Sequence, residues 1–232
     1  MNGIQKRRAG KMPGQGPSGK TLTIRAINLL RRFITVTLLV CIGAIPAMAT
    51  EEAPYTVIRS EGNFELRDYP PLVVAETIVD GELEGAGNKA FRPLFRYISG
   101  ENKSRDKIAM TAPVSQEQKG EKISMTAPVS QERVQGKWAV SFTMPSSYTM
   151  KTLPTPDDPN IKLRQVPARR MAAVRYSGSW SEKKYLQHKE KLEKWIKANR
   201  LSVTGEPVWA RYNAPFTPWF MRRNEILIPI IW

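Results

Sequence analysis

The chain is poor in the side chains that make and break bonds. Its 232 residues include one histidine, His188, and one cysteine, Cys41. A serine nucleophile could recruit only His188 as its base, and no Gly-x-Ser-x-Gly elbow is present to expose such a serine. No His/carboxylate cluster has metal-ligand spacing. Gly81, Gly85 and Gly87 lack the spacing of a phosphate cradle. Asp157-Asp158 lies between Pro156 and Pro159, which reads as a solvated turn. These absences argue for a protein that is not an enzyme. His188 itself has two readings: a histidine satisfied within a helical core stripe, or a lone metal ligand.

The most distinctive pattern is a phrase stated twice. Lys107-Ile108-Ala109-Met110-Thr111-Ala112-Pro113-Val114-Ser115-Gln116-Glu117 recurs from Lys122 to Glu132, changed only at Ala109/Ser124. Each copy is a short β-compatible run around a proline, which suits a strand end, an edge or a bulge. With Gln118-Lys119-Gly120-Glu121 between them, the copies predict a hairpin. Met110 and Met125 are soft potential ligands, although methionine in strands is usually core filler.

The repeated phrase resembles the SOUL family of haem-binding proteins. Three further segments carry the resemblance. Tyr55–Tyr69 is similar to the family's opening strands. Phe91–Asn102 (FRPLFRYISGEN) is similar to its first helix and exit. Arg211–Phe220 (RYNAPFTPWF), followed by Arg222-Arg223-Asn224-Glu225, is similar to its C-terminal signature. Together these span about 55–232. The resemblance implies a distorted antiparallel β-barrel with two helices packed outside it. It also implies a reversibly bound haem or related tetrapyrrole.

Haem presents a broad apolar face and two propionates, and its iron accepts His, Met, Cys or Tyr. The tetrapyrrole surface implied by the resemblance runs along the first helix. The residues it points to are Phe91, Leu94, Phe95 and Ile98, beside Arg92 and Arg96. His188 is the imidazole available as an axial ligand. Trp209, Phe216, Trp219 and Phe220 could add an aromatic wall, and Arg222 and Arg223 could meet propionates. Each group also has an ordinary reading as core packing or a solvated flank.

Positioning these residues requires two amphipathic helices. Phe91, Leu94, Phe95 and Ile98 fall at i, i+3, i+4 and i+7, and Pro93 is expected in the helix's first turns. A second helix is predicted from Ser181 to about Asn199, with Tyr185, His188, Leu192, Trp195 and Ile196 on one stripe. Strand-like runs surround both: 72–79, 138–144, 161–166, 170–176 and 225–231. Pro70 and Pro167 are 97 residues apart, and Pro113 and Pro215 are 102 apart. The spacing predicts two similar halves, each with one helix, in an α+β domain.

Charge and leader complete the reading. Residues 1–49 carry eight Lys/Arg and no Asp/Glu. Removing them from the chain's 36 basic residues leaves 28 against 21 acidic ones in 50–232, an excess of seven. That scattered excess does not predict a nucleic-acid partner; it suits carboxylate ligands or peripheral contact with an anionic membrane. Arg31-Arg32, the apolar run 33–45 and Ala47-Met48-Ala49 have the order of a cleaved secretory signal. The expected mature chain is a single domain, 50–232, starting at Thr50. It would be periplasmic or secreted and, with Cys41 removed, free of disulfides. The expected function is a non-catalytic tetrapyrrole carrier or buffer. The alternative is an envelope small-molecule-binding or structural barrel without a tetrapyrrole role.

Overall fold

A computed structural model describes residues 50–105 and 120–231. Among the described residues are fourteen strands: β1 (Glu51–Glu52), β2 (Thr56–Glu61), β3 (Phe64–Tyr69), β4 (Leu72–Val79), β5 (Asn102–Lys103), β6 (Thr126–Ala127), β7 (Val129–Val134), β8 (Lys137–Thr143), β9 (Thr155–Pro156), β10 (Lys162–Val166), β11 (Arg169–Tyr176), β12 (Ser202–Val203), β13 (Val208–Arg211) and β14 (Asn224–Ile231). Helix α1 spans Leu83–Ile98 and α2 spans Glu182–Ala198. A 3-10 turn covers Trp219–Met221.

The main sheet is antiparallel, in the order β10-β4-β8-β7-β13-β14-β11-β3-β2, with β12 also joined to β14. The sequence order is mirrored about the β7–β13 pair: β4-β8-β7 on one side answers β11-β14-β13 on the other. Helix α1 packs on β4 and β8, and α2 packs on β11 and β14. The two-half pattern therefore has a counterpart in the pairing. The barrel closure implied by the resemblance does not: β10 and β2, at the two ends, are not bonded to each other.

Alternation sets the faces. Ala75, Val140, Phe142, Ala172, Val174, Ile226 and Ile228 point under the helices and form the main core with Leu94, Leu192 and Trp195. The opposite face carries Tyr69, Met171, Val208 and Leu227. That face also buries a charged pair. Arg67 donates to both carboxylate oxygens of Glu225, at 2.6 and 3.1 Å. Tyr212 and Arg223 also bond Glu225. Burial alone would raise the pKa of Glu225, but bonding to and charge from Arg67, helped by Arg223, hold it below the usual carboxylate range.

One further expectation needs correcting. Helix α1 begins eight residues before Phe91, so Pro93 lies within it and not in its first turns. The early start follows from burial of Leu83, Ala86 and Ala90 on the core face. The hairpin expected between the two copies of the phrase falls partly on residues outside the described ones; the second copy runs into β7. Both edges of β7 are taken, by β8 and β13, and its tight turn is Gln135-Gly136. The first copy lies outside the described residues. By contrast, α2 starts where its cap predicts: the Ser181 hydroxyl accepts from the Lys184 N–H at 3.4 Å.

Candidate functional site

At the seam between the halves, on the helix-bearing face, lies a groove of about 460 Å³. This is within the roughly 300–1,000 Å³ usual for small-molecule sites. One wall is the outer face of α1: Gly87, Asn88, Phe91 and Phe95. These residues recur at helical spacing, so they form one stripe. A second wall is Met125, Thr126, Ala127 and Val129, all from the second copy of the repeated phrase. The third is Trp180 with Arg211–Phe216, the start of the C-terminal signature. Among the described residues, none that lines the groove is acidic.

The aromatic surface is continuous. Phe91 stacks on Phe95 with ring centroids 5.8 Å apart, and its edge meets Phe142 at 5.4 Å. Phe95 is half exposed. Trp180 is fixed by its indole N–H, which donates to Asn224 Oδ1 at 2.8 Å.

Arg211 is the polar feature of the groove. Its guanidinium carbon lies 4.1 Å from the Trp209 ring centroid and 5.0 Å from that of Trp180. Nη2 donates to Gln131 Oε1 at 3.4 Å, and Gln131 is itself held by the Leu83 carbonyl at 2.7 Å. Nε is buried without any partner, and among the described residues no carboxylate pairs with this cation. Burial pushes its pKa down to about 10. A side chain on Gly87 would obstruct it. A Cβ there would sit 2.8 Å from Nη1, 3.0 Å from Nη2 and 3.0 Å from Gln131 Oε1. The glycine is what lets the guanidinium lie against the helix.

An unpaired cation in an apolar groove is suited to an anionic group on an otherwise apolar ligand. A wider hollow of about 800 Å³, lined by Tyr55, Tyr69, Arg170 and Ile231 among others, is less suited. It is a shallow surface, and Asp68 already takes Arg170 bidentately at 2.7 and 2.8 Å.

The structure divides the residues singled out from sequence. Phe91 and Phe95 line the groove. Leu94 and Ile98 are buried in the main core, beyond reach of a groove ligand. Arg92 is exposed and is not a lining residue. Arg96 turns to Glu101 at 3.4 Å and Asp158 at 3.9 Å. His188 is also outside the groove. It stacks on Tyr176 with centroids 4.0 Å apart, and burial, then Lys191 and Lys184, lower its pKa. Trp209 is fully buried, Phe216 lines the rim, and Trp219 and Phe220 stand in solvent. Arg222 is spent on the Thr217 and Pro215 carbonyls, and Arg223 on Glu52 and Glu225. Met125 lines the groove; Met110 is outside the described residues.

Sequence reasoning passed over Gly87, Trp180 and Arg211. Arg211 opens the very segment that carried the resemblance, whereas the Arg222-Arg223 pair drew attention by adjacency alone. No local signal marks Trp180. Among the described residues, no cluster of three or more His, Cys, Asp or Glu could hold a metal ion, and no helix is long and apolar enough to cross a membrane.

Comparison with known proteins gives one family and one fold. Residues 50–229 match the family described as SOUL heme-binding protein. No curated protein is similar enough to count as a match. Among solved structures, the C-terminal domain of EcmrR has a TM-score of 0.53 at 12% identity, covering 76% of this chain and 98% of that one. A hydrolase from Listeria innocua has a TM-score of 0.52 at 12% identity, covering 75% of this chain and 94% of that one. At such identity these likenesses establish a shared fold and nothing of activity.

Proposed function

Since the chain belongs to the SOUL haem-binding family, we propose that the groove beside α1 holds haem or a related tetrapyrrole, for carriage or buffering and not for catalysis. The observation that carries this reading is Arg211: a buried cation that among the described residues has no carboxylate partner, lining an apolar groove. Phe91, Phe95, Val129 and Phe216 supply surface for a macrocycle. The Arg211 guanidinium supplies the donor for one propionate. Gln131 and Gly87 hold that donor in place. Met125 is the lining residue whose side-chain sulfur could reach iron, and His188 has no place in this arrangement.

The second proposal concerns location. The basic stretch, apolar run and Ala-Met-Ala of 1–49 support export with cleavage before Thr50. N-terminal sequencing of the protein from a periplasmic fraction tests this, and an intact Met1 there would refute it.

The ligand proposal is tested by titrating residues 50–232 with hemin and with iron-free protoporphyrin. A saturable Soret change with one-to-one stoichiometry is expected. If neither gives saturation while an apolar dye binds and is not displaced by hemin, the groove serves some other small molecule.

A further inference from the structure

The loop after β13 carries an apolar tip outside the groove. Phe216, Trp219, Phe220 and Met221 are 89%, 63%, 61% and 65% exposed. Four large apolar side chains in six residues is far more than scattered surface hydrophobics.

The tip is held in shape. Thr217 N–H donates to the Ala214 carbonyl and Met221 N–H to the Pro218 carbonyl. Arg222 ties the two limbs together, donating to the Thr217 carbonyl at 2.7 Å and the Pro215 carbonyl at 2.8 Å. Its guanidinium carbon sits 4.2 Å from the Trp180 ring centroid. Trp219 and Phe220 meet edge to face at 5.6 Å. The exposure is thus built into a braced loop, and little ordering remains to be done when a partner arrives.

Its surroundings are electropositive. Arg222, at the base of the tip, bonds carbonyls and has no carboxylate partner among the described residues, whereas Arg223 is paired with Glu52 and Glu225. Arg92, exposed and in no ion pair among the described residues, adjoins the groove-lining Phe91 in the chain, and Lys122, also exposed, lies three residues before Met125. Phe216 belongs both to the tip and to the groove rim.

We propose that the Trp219–Met221 tip inserts into the interface of an anionic lipid bilayer and places the groove mouth at the membrane surface. A protruding Trp-Phe-Met turn fits a deformable apolar phase, and tryptophan suits the headgroup boundary. The neighbouring cations complement anionic headgroups, whose attraction fades within a Debye length. The inference is independent of what fills the groove.

Vesicle co-sedimentation tests it. Every described core residue lies within 50–231, so the 50–232 chain is used; this also removes the apolar run of the leader. Without hemin, the protein should pellet with phosphatidylcholine/phosphatidylglycerol (3:1) vesicles. Binding to pure phosphatidylcholine should be at least tenfold weaker. The double variant Trp219→Ser/Phe220→Ser should lose at least tenfold in partitioning to the anionic vesicles, since each side chain gives up most of its apolar transfer. Its melting temperature and its solution hemin titration should match the parent's. Failure to pellet, or equal pelleting of the double variant, would overturn the proposal. So would sedimentation velocity showing a dimer that the double variant dissolves, because the tip would then belong to a second copy of the chain.

Discussion

Replacing Arg211 with methionine should make the protein more stable and a poorer binder at once. Burial lowers the Arg211 pKa to about 10. At about 1.4 kcal/mol for each tenfold change in proton affinity, that corresponds to a cost of about 3 kcal/mol for keeping the cation in the groove. The sign is that of a base with a depressed pKa. The cost is fully present at neutral pH and is relieved only as pH rises through about 10. The two tryptophan contacts, at 4.1 and 5.0 Å, return about 0.5–1 kcal/mol each. Methionine keeps much of the apolar stem and needs no counter-charge. The net expectation for Arg211→Met is a gain of about 1–2 kcal/mol, or about 2–8 °C in Tm for a domain of this size. Hemin binding should weaken by about 1.5–3 kcal/mol, roughly 10–150-fold, because the charge-assisted bond to a carboxylate is gone. Thermal melts and Soret titrations on the same preparation read both effects. A variant that melts lower and binds hemin as well as its parent would refute the reasoning, because Arg211 would then be a structural cation with no ligand role.

Three further perturbations probe other parts of the account. Gly87→Ala should gain about 1 kcal/mol of helix propensity and lose a similar amount by displacing the Arg211 guanidinium. Denaturation should therefore stay within about 1 kcal/mol of the parent while hemin affinity falls about tenfold; unchanged affinity would remove Gly87 from the site. His188→Phe should leave the Soret band alone and flatten the acid limb of stability. A half-buried histidine with a depressed pKa costs nothing above about pH 6.5, and stability declines as pH falls below it; urea melts at pH 7 and pH 5 check this. Glu225→Gln removes the fully buried partner of Arg67 and leaves it only the part-exposed Glu65, 2.7 Å from its Nε; it should cost about 3 kcal/mol by urea denaturation, whereas a loss under 1 kcal/mol would show the pair to be dispensable.

Much of the frame could be read from the sequence because it rests on local periodicity. The strand at Leu72–Val79 and the helix capped by Ser181 agree with their patterns. What failed was tertiary override. Helix α1 starts at Leu83, well before the apolar stripe at Phe91 that marks it in the sequence, because Leu83, Ala86 and Ala90 bury against the sheet. The second phrase runs into β7, a central strand because β13 arrives from 75 or more residues further along the chain. The site was half legible. Phe91 and Phe95 showed themselves by spacing, but spacing could not tell them from the core-facing Leu94 and Ile98. Arg211 was hidden because its importance lies in what it lacks among the described residues, a paired carboxylate, which only the assembled seam of the two halves reveals.

The most direct test is a crystal structure of residues 50–232 with protoporphyrin IX. The account predicts the macrocycle against Phe91 and Phe95, walled by Val129 and Phe216, with one propionate accepting from the Arg211 guanidinium. A macrocycle seated elsewhere, as in the hollow beside Tyr55 and Ile231, or one whose propionates leave Arg211 unpaired, would contradict it.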